Sequence, residues 1–268
     1  MNDLGKCCRV VLVRPSIPGN LGAVARVMAN FGLARLCLVQ PHADPLDAQA
    51  LALATHGEGV LRTAESFKDL GDAASDCGLV IGSSARAEGL IRGQTVSDVR
   101  SLMKLLVPAI RSVPAALVFG PESTGLTNAE VTRCHHLLTI PAASEFPVLN
   151  LAQAVAICLS ELFQAWIQAP SDQRLVPNVA SFAVQELAYR RLEEALTGIH
   201  FLWNAKAPSQ MHALRHLLGR AQPTEIEVGI LHGIARQILW YVKRWGHTRD
   251  DAAEPTVTPL DQRHSPAS

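Results

Sequence analysis

Residues 115–165 read AALVFGPESTGLTNAEVTRCHHLLTIPAASEFPVLNLAQAVAICLSELFQA, and they decide the fold class. Ala115 to Phe119 is an uninterrupted apolar run, as in a strand buried on both faces. It stops at Gly120-Pro121, which forces a turn. Thr127 and Glu130 stand at the T-x-x-E spacing in which hydroxyl and carboxylate satisfy each other's exposed backbone donors, so a helix is predicted from Thr127. A second apolar strand, Leu137 to Ile140, ends at Pro141. A loop then leads to Leu149-Asn150-Leu151 and an Ala-rich helix, Asn150 to Gln168, with no charge before Glu161; a helix apolar on nearly all sides belongs in the interior. Two buried strands ending in irregular loops at their carboxyl ends describe a ligand crevice of an α/β sheet.

Upstream, Arg9 to Val13 is the expected first strand, and Arg14-Pro15-Ser16-Ile17-Pro18-Gly19 a forced loop. From Asn20, a good N-cap residue, Leu21, Val24, Ala25, Met28 and Phe31 recur at helical steps, and Gly32 stands where a C-terminal cap belongs. Arg26 is the only charge between Ser16 and Ala34. Two readings of it stand, a solvent-facing arginine on a surface helix and an arginine aimed at an anionic substrate, whose phosphate its fork would match. Leu36 to Val39 and Gly78 to Gly82 are further strands; Leu46 to Ala54, Ser66 to Ser75 and Ser97 to Arg111 read as helices. Strand and helix alternate to about Gln168, which predicts a mostly parallel sheet covered by helices. Ala169 to Pro177 reads as a linker, followed by helices at Val179 to Leu196, Ser209 to Leu218 and Glu225 to Trp245.

The chain has 268 residues, 48% of them hydrophobic, with a mean hydropathy of +0.15. No apolar run approaches the ~20 residues of a membrane span. The apolar core before Arg14 is too short for a secretory signal, so the expected location is cytoplasmic. Six scattered cysteines without a C-x-x-C pair read as reduced core thiols rather than a metal site. Net charge is zero, but residues 1–165 carry 13 basic and 14 acidic side chains, residues 166–249 carry 10 and 6, and residues 250–268 carry 1 and 4. A basic helical module followed by an acidic, Pro-containing tail, expected to be disordered, suggests an anionic partner.

GPESTG is neither the G-x-G-x-x-G dinucleotide fingerprint nor a G-x-S-x-G nucleophile elbow, and no G-x-x-x-x-G-K-[ST] loop exists. His212 and His216 stand four apart without the Glu of H-E-x-x-H, so a core or solvated role is expected there, and His135-His136 reads as structural.

Three blocks, GNLGAVARVMANFGL (19–33), LVFGPESTGLTNAE (117–130) and IPAASEFPVLNLAQAV (140–155), resemble in order and spacing the three motifs of the SpoU/TrmH-type RNA 2'-O-methyltransferases of the SPOUT superfamily. Ser83-Ser84-Ala85-Arg86 and QMHALRHLLGRAQPTEIEVGILHGI (210–234) make the chain similar to that family's TrmJ branch, which modifies the ribose of the first nucleotide of the tRNA anticodon loop. The resemblance implies an α/β fold whose mostly parallel sheet ends in a C-terminal trefoil knot, with a small all-helical extension. It also implies a homodimer, and a reaction needing S-adenosyl-L-methionine and no metal. The expected organisation is a methyltransferase domain at 1–168, a linker at 169–178, a helical domain at 179–249 and the tail. The alternatives are a ribosomal RNA 2'-O-methyltransferase and a knotted RNA-binding protein without transferase activity.

By the same resemblance, the cofactor would sit at Ser83, Ser84, Ala85, Gly120, Ile140, Pro147, Val148 and Leu149, small or apolar residues suited to gripping adenine through the backbone. Arg26 matches the family's catalytic arginine, with Asn20, Glu122 and Asn150 at motif positions that shape the site. Glu122 has two readings, a carboxylate near the sulfonium and a brace for its loop. A guanidinium is a poor base, so the expected role of Arg26 is to clamp an RNA phosphate, orient the hydroxyl and stabilise developing oxyanion charge. Arg14, Arg86, Arg190, Arg191, Arg215 and Arg220 are the RNA-contact candidates; Lys206, Arg236, Lys243 and Arg244 add to the basic module, whose other reading is solvated faces of a bundle that extends the dimer interface. Trp203, Trp240, Tyr241 and Trp245 are expected in the core. The chain departs from the pattern at Val148, where many members have serine, at Phe146, a tyrosine in close relatives, and at Pro121, often arginine in the branch. Losing the serine hydroxyl removes a hydrogen bond worth ~0.5–1.5 kcal/mol.

Overall fold

A computed structural model describes residues 4–84, 96–170 and 178–245. Its sheet has seven strands, β1 (Cys8–Val13), β2 (Leu36–Val39), β3 (Glu65–Phe67), β4 (Leu79–Ser83), β5 (Val96–Asp98), β6 (Ala115–Phe119) and β7 (His136–Thr139), in the order β3-β2-β1-β6-β4-β7-β5. Every pairing is parallel. β1 and β6 are buried along their whole length, as continuous apolar runs require. Their side chains alternate between two cores. Val10, Leu12, Leu117 and Phe119 meet the helices α2 (Pro18–Asn30), α6 (Val99–Ile110) and α8 (Leu151–Gln168), while Val11, Val13, Ala116 and Val118 meet residues of α5 (Leu70–Ala73) and α7 (Asn128–Val131). Short helices α1 (Leu4–Cys7), α3 (Ala48–Ala54) and α4 (Glu58–Arg62) complete this part. Three helices follow: α9 (Phe182–Gly198), α10 (Ala207–Arg220) and α11 (Glu225–Trp245). No helix among the described residues is long and apolar enough to cross a membrane.

Several local expectations change. The helix expected at Ser66 to Ser75 is instead β3 followed by α5, with the Asp69 carboxylate capping the latter at Gly71 and Asp72. A three-residue edge strand is too short for hydrophobic alternation to announce itself. Ser97 belongs to β5, and Asp98 caps α6 at the Ser101 amide, 3.0 Å away. α2 begins two residues before Asn20, with Pro18 in its first turn where the missing N–H costs nothing. Asn20 is thereby released from capping, while Gly32, at φ 75°, ends the helix as its position predicts.

The helical unit is docked on the sheet: Phe182 fills the second core, its amide donates to Cys77 O at 2.6 Å, and Gly219 packs against His135. Trp203, Trp240, Tyr241 and Trp245, expected inside, are each more than half exposed. α11 presents Val228 and Ala235 inward, and its aromatic side chains lie on other faces.

His135, His136, His212 and His216 are all buried where α10 meets the sheet, so the core reading holds. His135 Nδ1 accepts the Val80 amide at 3.1 Å, which places its proton on Nε2. Burial, then His136, His216 and Arg215, lowers His135 from 6.5 to about 3. Burial, then Arg220, lowers His136 to about 4, and burial, then His212, His136 and Arg220, lowers His216 to about 3. These imidazoles stay neutral in the fold but take up protons in the unfolded chain below pH 6.5, so stability falls as pH drops from 6.5 towards 4. Urea unfolding at pH 5 should show a loss of several kcal/mol relative to pH 7, roughly 2 kcal/mol per histidine. Equal stabilities at the two pH values would show that the cluster is not held neutral.

Candidate active site

The register aligns three strand ends. Gly82 sits beside Val118 and Ser83 beside Leu138, so the chain leaves the sheet at Ser84, Gly120 and Ile140 along one edge. These exits, with the loop at Pro147 to Leu149 and the first turn of α8, enclose a cleft. Its walls are apolar at Phe119, Leu126, Ile140, Leu149 and Leu151 and polar at Ser83, Ser84, Glu122, Ser123 and Thr124.

The loop from Gly120 to Leu126 folds back on itself, with Gly125 N bonded to Pro121 O at 2.9 Å. A Cβ on Gly120 would lie 2.2 Å from both Gly125 C and Leu126 N, so only glycine permits this closure. Gly125 completes it at φ 67°. Thr127 then caps α7 in a reciprocal box with Glu130, as the T-x-x-E spacing predicts.

Glu122 is held from two sides. Asn20 Nδ2 donates to its Oε1 at 2.8 Å, and the Ser16 amide and hydroxyl donate to its Oε2 at 3.2 and 3.0 Å. Asn20 Oδ1 in turn accepts from Asn150 Nδ2 at 2.9 Å, while Asn150 Oδ1 caps α8 at the Ala152 amide, 2.8 Å away. One amide therefore ties the β6 loop, the start of α2 and the start of α8 together. Burial would raise the Glu122 carboxyl, but the hydrogen bonds from Asn20, from its own backbone and from Ser16 outweigh it and hold the group below its ordinary value. The arrangement keeps a fixed negative charge at the cleft.

Asn150→Ala removes the cap of α8 and leaves Asn20 Oδ1 without its donor. The expected cost is ~2–3 kcal/mol, measurable by urea unfolding; a loss below ~0.5 kcal/mol would show that the amide relay does not stabilise the fold.

Of the residues expected to hold a cofactor, Ser83, Ser84, Gly120, Ile140, Pro147, Val148 and Leu149 all line the cleft. Ala85 and Arg86 lie outside the described residues. Glu122 is in the lining, with Asn20 and Asn150 directly behind it. Arg26 is exposed on α2 and does not contribute to the cleft of its own chain. Among the RNA-contact candidates, Arg190, Arg191 and Arg220 are exposed. Arg14 and Arg215 are not open forks: Arg14 pairs bidentately with Glu130 at 2.5 and 3.1 Å, and Arg215 pairs with Glu186 and lies 5.0 Å over the Tyr189 ring. Their charge is answered within the fold by Glu130 and Glu186. Phe146 is 81% exposed. Ser16 went unnoticed in the sequence because its partner lies 106 residues away.

Comparison with known proteins agrees with this geometry. Residues 8–160 match the SpoU rRNA Methylase family, and residues 184–250 match the C-terminal domain of the tRNA methyltransferase TrmJ. The tRNA (cytidine/uridine-2'-O-)-methyltransferase TrmJ of Sodalis glossinidius is 36% identical over 233 residues, covering 86% of this chain and 90% of its own. The TrmJ of Escherichia coli K12 is 37% identical over 237 residues, with 86% and 94% covered. The crystal structure of TrmJ from Z. mobilis ZM4 superposes with a TM-score of 0.73 at 28% identity, covering 86% of this chain and 98% of that one. A probable methylase family protein from Haemophilus influenzae Rd KW20 gives 0.57 at 32% identity, with 89% and 98% covered. Matched over more than half its length, and with relatives above 30% identity along nearly all of theirs, the chain belongs to the SpoU rRNA methylase family.

Proposed function

We propose that the protein is an S-adenosyl-L-methionine-dependent RNA ribose 2'-O-methyltransferase acting on tRNA, at cytidine or uridine in the first position of the anticodon loop. The observation that carries this reading is the cleft at the carboxyl ends of β4, β6 and β7, with an ionised Glu122 braced at its wall. The residues present fit the cofactor. Phe119, Leu126, Ile140 and Leu149 offer apolar walls to an adenine ring, Gly120 brings backbone close, and the Glu122 carboxylate complements a sulfonium. When bound, S-adenosylmethionine supplies an electrophilic methyl group.

The chain's own residues then have positional tasks. Asn20 and Ser16 keep Glu122 oriented, and Asn150 holds the mouth of the cleft to α8. Arg26 clamps a phosphate, aligns the ribose 2' hydroxyl and stabilises charge developing on its oxygen, the proton leaving to phosphate or water. Because Arg26 lies outside its own chain's cleft, the working unit in this reading is a homodimer in which it serves the other subunit. Arg190, Arg191 and Arg220 meet tRNA phosphates. The trefoil knot belongs to the same proposal, supported by β7 being seated between β4 and β5. A cytoplasmic location follows from the substrate.

The test is incubation of the protein with tRNA, ribosomal RNA and methyl-labelled S-adenosylmethionine, followed by nuclease digestion and mass spectrometry. One 2'-O-methylated pyrimidine at the start of the anticodon loop is expected. Label in ribosomal RNA would redirect the substrate, and cofactor binding without transfer would make this a binding protein, the outcome that Val148 at the cleft would explain.

A further inference from the structure

The helical unit meets the sheet through one aromatic side chain and a cluster of imidazoles. Among the described residues, Phe182 is the one member of that unit in the second core, where its ring lies 5.8 Å from that of His135 and under the Arg133 guanidinium. His135, just before β7, and His136, its first residue, meet His212 and His216 of α10. A Cβ on Gly219 would stand 3.0 Å from the His135 ring, so the α10 backbone closes directly on it. Two backbone bonds cross the joint, from the Phe182 amide to Cys77 O at 2.6 Å and from the Ala183 amide to Ser75 O at 3.1 Å. Each side has its own means of staying folded: Tyr189, Leu202 and Met211 form one cluster within the helical unit and Ala180, Ala188 and Val228 another, while the sheet keeps the whole of its first core.

The imidazole cluster is poorly satisfied. His135 Nε2, His136 Nε2 and both ring nitrogens of His216 are buried without a hydrogen-bond partner in the protein, which weakens the joint they fill. The groups acting on these rings are one another, Arg215 and Arg220, all cationic or able to become so. From α9, Glu186 is engaged by Arg215 and Arg133, and Tyr189 lies under the Arg215 guanidinium. A proton taken up here therefore meets like charge.

Acid reaches this joint before the rest of the fold. Burial, aided by these neighbours, holds His135 and His216 at about 3 and His136 at about 4, so between pH 6.5 and 5 the rings stay neutral while docked and take up protons once solvated. The carboxyls that the fold shifts, Asp76, Glu122, Glu130 and Glu161 among them, are pushed down from ordinary values of 3.8 and 4.5 and act only below this window. At pH 5 each ring favours the open joint by roughly 30-fold.

We propose that this joint is an acid-sensitive latch: as pH falls from 6.5 towards 5, the helical unit releases from the sheet as a body, before either part unfolds. Above that range the basic helical unit and the cleft move as one; below it they move separately. The latch is independent of what the cleft binds.

The test is hydrogen exchange of the full chain at pH 7 and pH 5, read by mass spectrometry with exchange times scaled for the intrinsic chemistry. The Phe182 and Ala183 amides should lose ~10³-fold or more of their protection at pH 5, from two or more rings, and should exchange well ahead of the β1 and β6 amides. Exchange of both sets together in one step would mean that the chain opens as a whole, and unchanged protection at Phe182 and Ala183 would mean that the joint does not respond; either result overturns the latch. His216→Leu removes one titrating ring and should shrink the change between the two pH values by roughly 30-fold. Should that variant not fold, His136→Leu gives the same reading from the other side of the joint. A full response in the folded variant would also overturn the proposal.

Discussion

Arg26→Ala is expected to slow methyl transfer to tRNA by roughly 10²–10⁴-fold while changing S-adenosylmethionine affinity by no more than about twofold. The separation follows from position. Arg26 is exposed on α2 and contributes nothing to the cofactor cleft, so its loss leaves the walls at Phe119, Leu126 and Leu149 intact. What disappears is the only guanidinium on that helix, the group that the proposed function assigns to positioning the acceptor ribose. Arg26→Lys should recover little, because an ammonium cannot present two parallel donors to a phosphate. Single-turnover rates with saturating tRNA, set beside calorimetric cofactor titration, give both quantities. Equal turnover in the mutant would return Arg26 to the reading of an ordinary solvent-facing arginine.

The second large effect is at Gly120. A methyl group there would stand 2.2 Å from two backbone atoms of the Gly125-Leu126 segment, and backbone has no flexible end to move aside. Gly120→Ala should therefore open the loop that forms one wall of the cleft. Cofactor affinity is expected to fall at least ~10²-fold, with ~2–4 kcal/mol lost from stability. Gly125→Ala is the useful contrast: nothing lies within 4 Å of its added carbon, and only its positive φ resists substitution, at ~1–2 kcal/mol. If the Gly120 variant titrates with cofactor as the native chain does, the loop is not the wall described.

Much of the site was legible because it depends on local chemistry. The G-P turn after Phe119 and the T-x-x-E box at Thr127 are each written within a few residues, and both are present. The motif residues from Ser83 to Leu149 gather in one cleft because parallel strands must place their carboxyl ends on the same edge. Asn20 was harder to read. Its residue type suits a helix cap, but Pro18 starts the helix earlier, and the amide goes instead to Glu122 and Asn150, more than 100 residues away. Arg14 and Arg215 looked available on charge pattern, yet Glu130 and Glu186 answer them in the fold. The aromatic side chains of α11 were assigned to the core from their apolarity, which says that a surface should be covered without saying by what.

By itself the sequence determined the alternation of strand and helix, the three motif blocks, and the glycines and caps that shape the loops, because hydrophobic period, backbone freedom and capping act over a few residues. Only the tertiary structure decided the strand order, which puts β7 between β4 and β5 and so brings three loops together. It also decided which charged side chains are paired and which face of α11 stays bare. These are matters of long-range proximity, and no spacing along the chain encodes the partner that a buried amide, a carboxylate or an apolar face will meet.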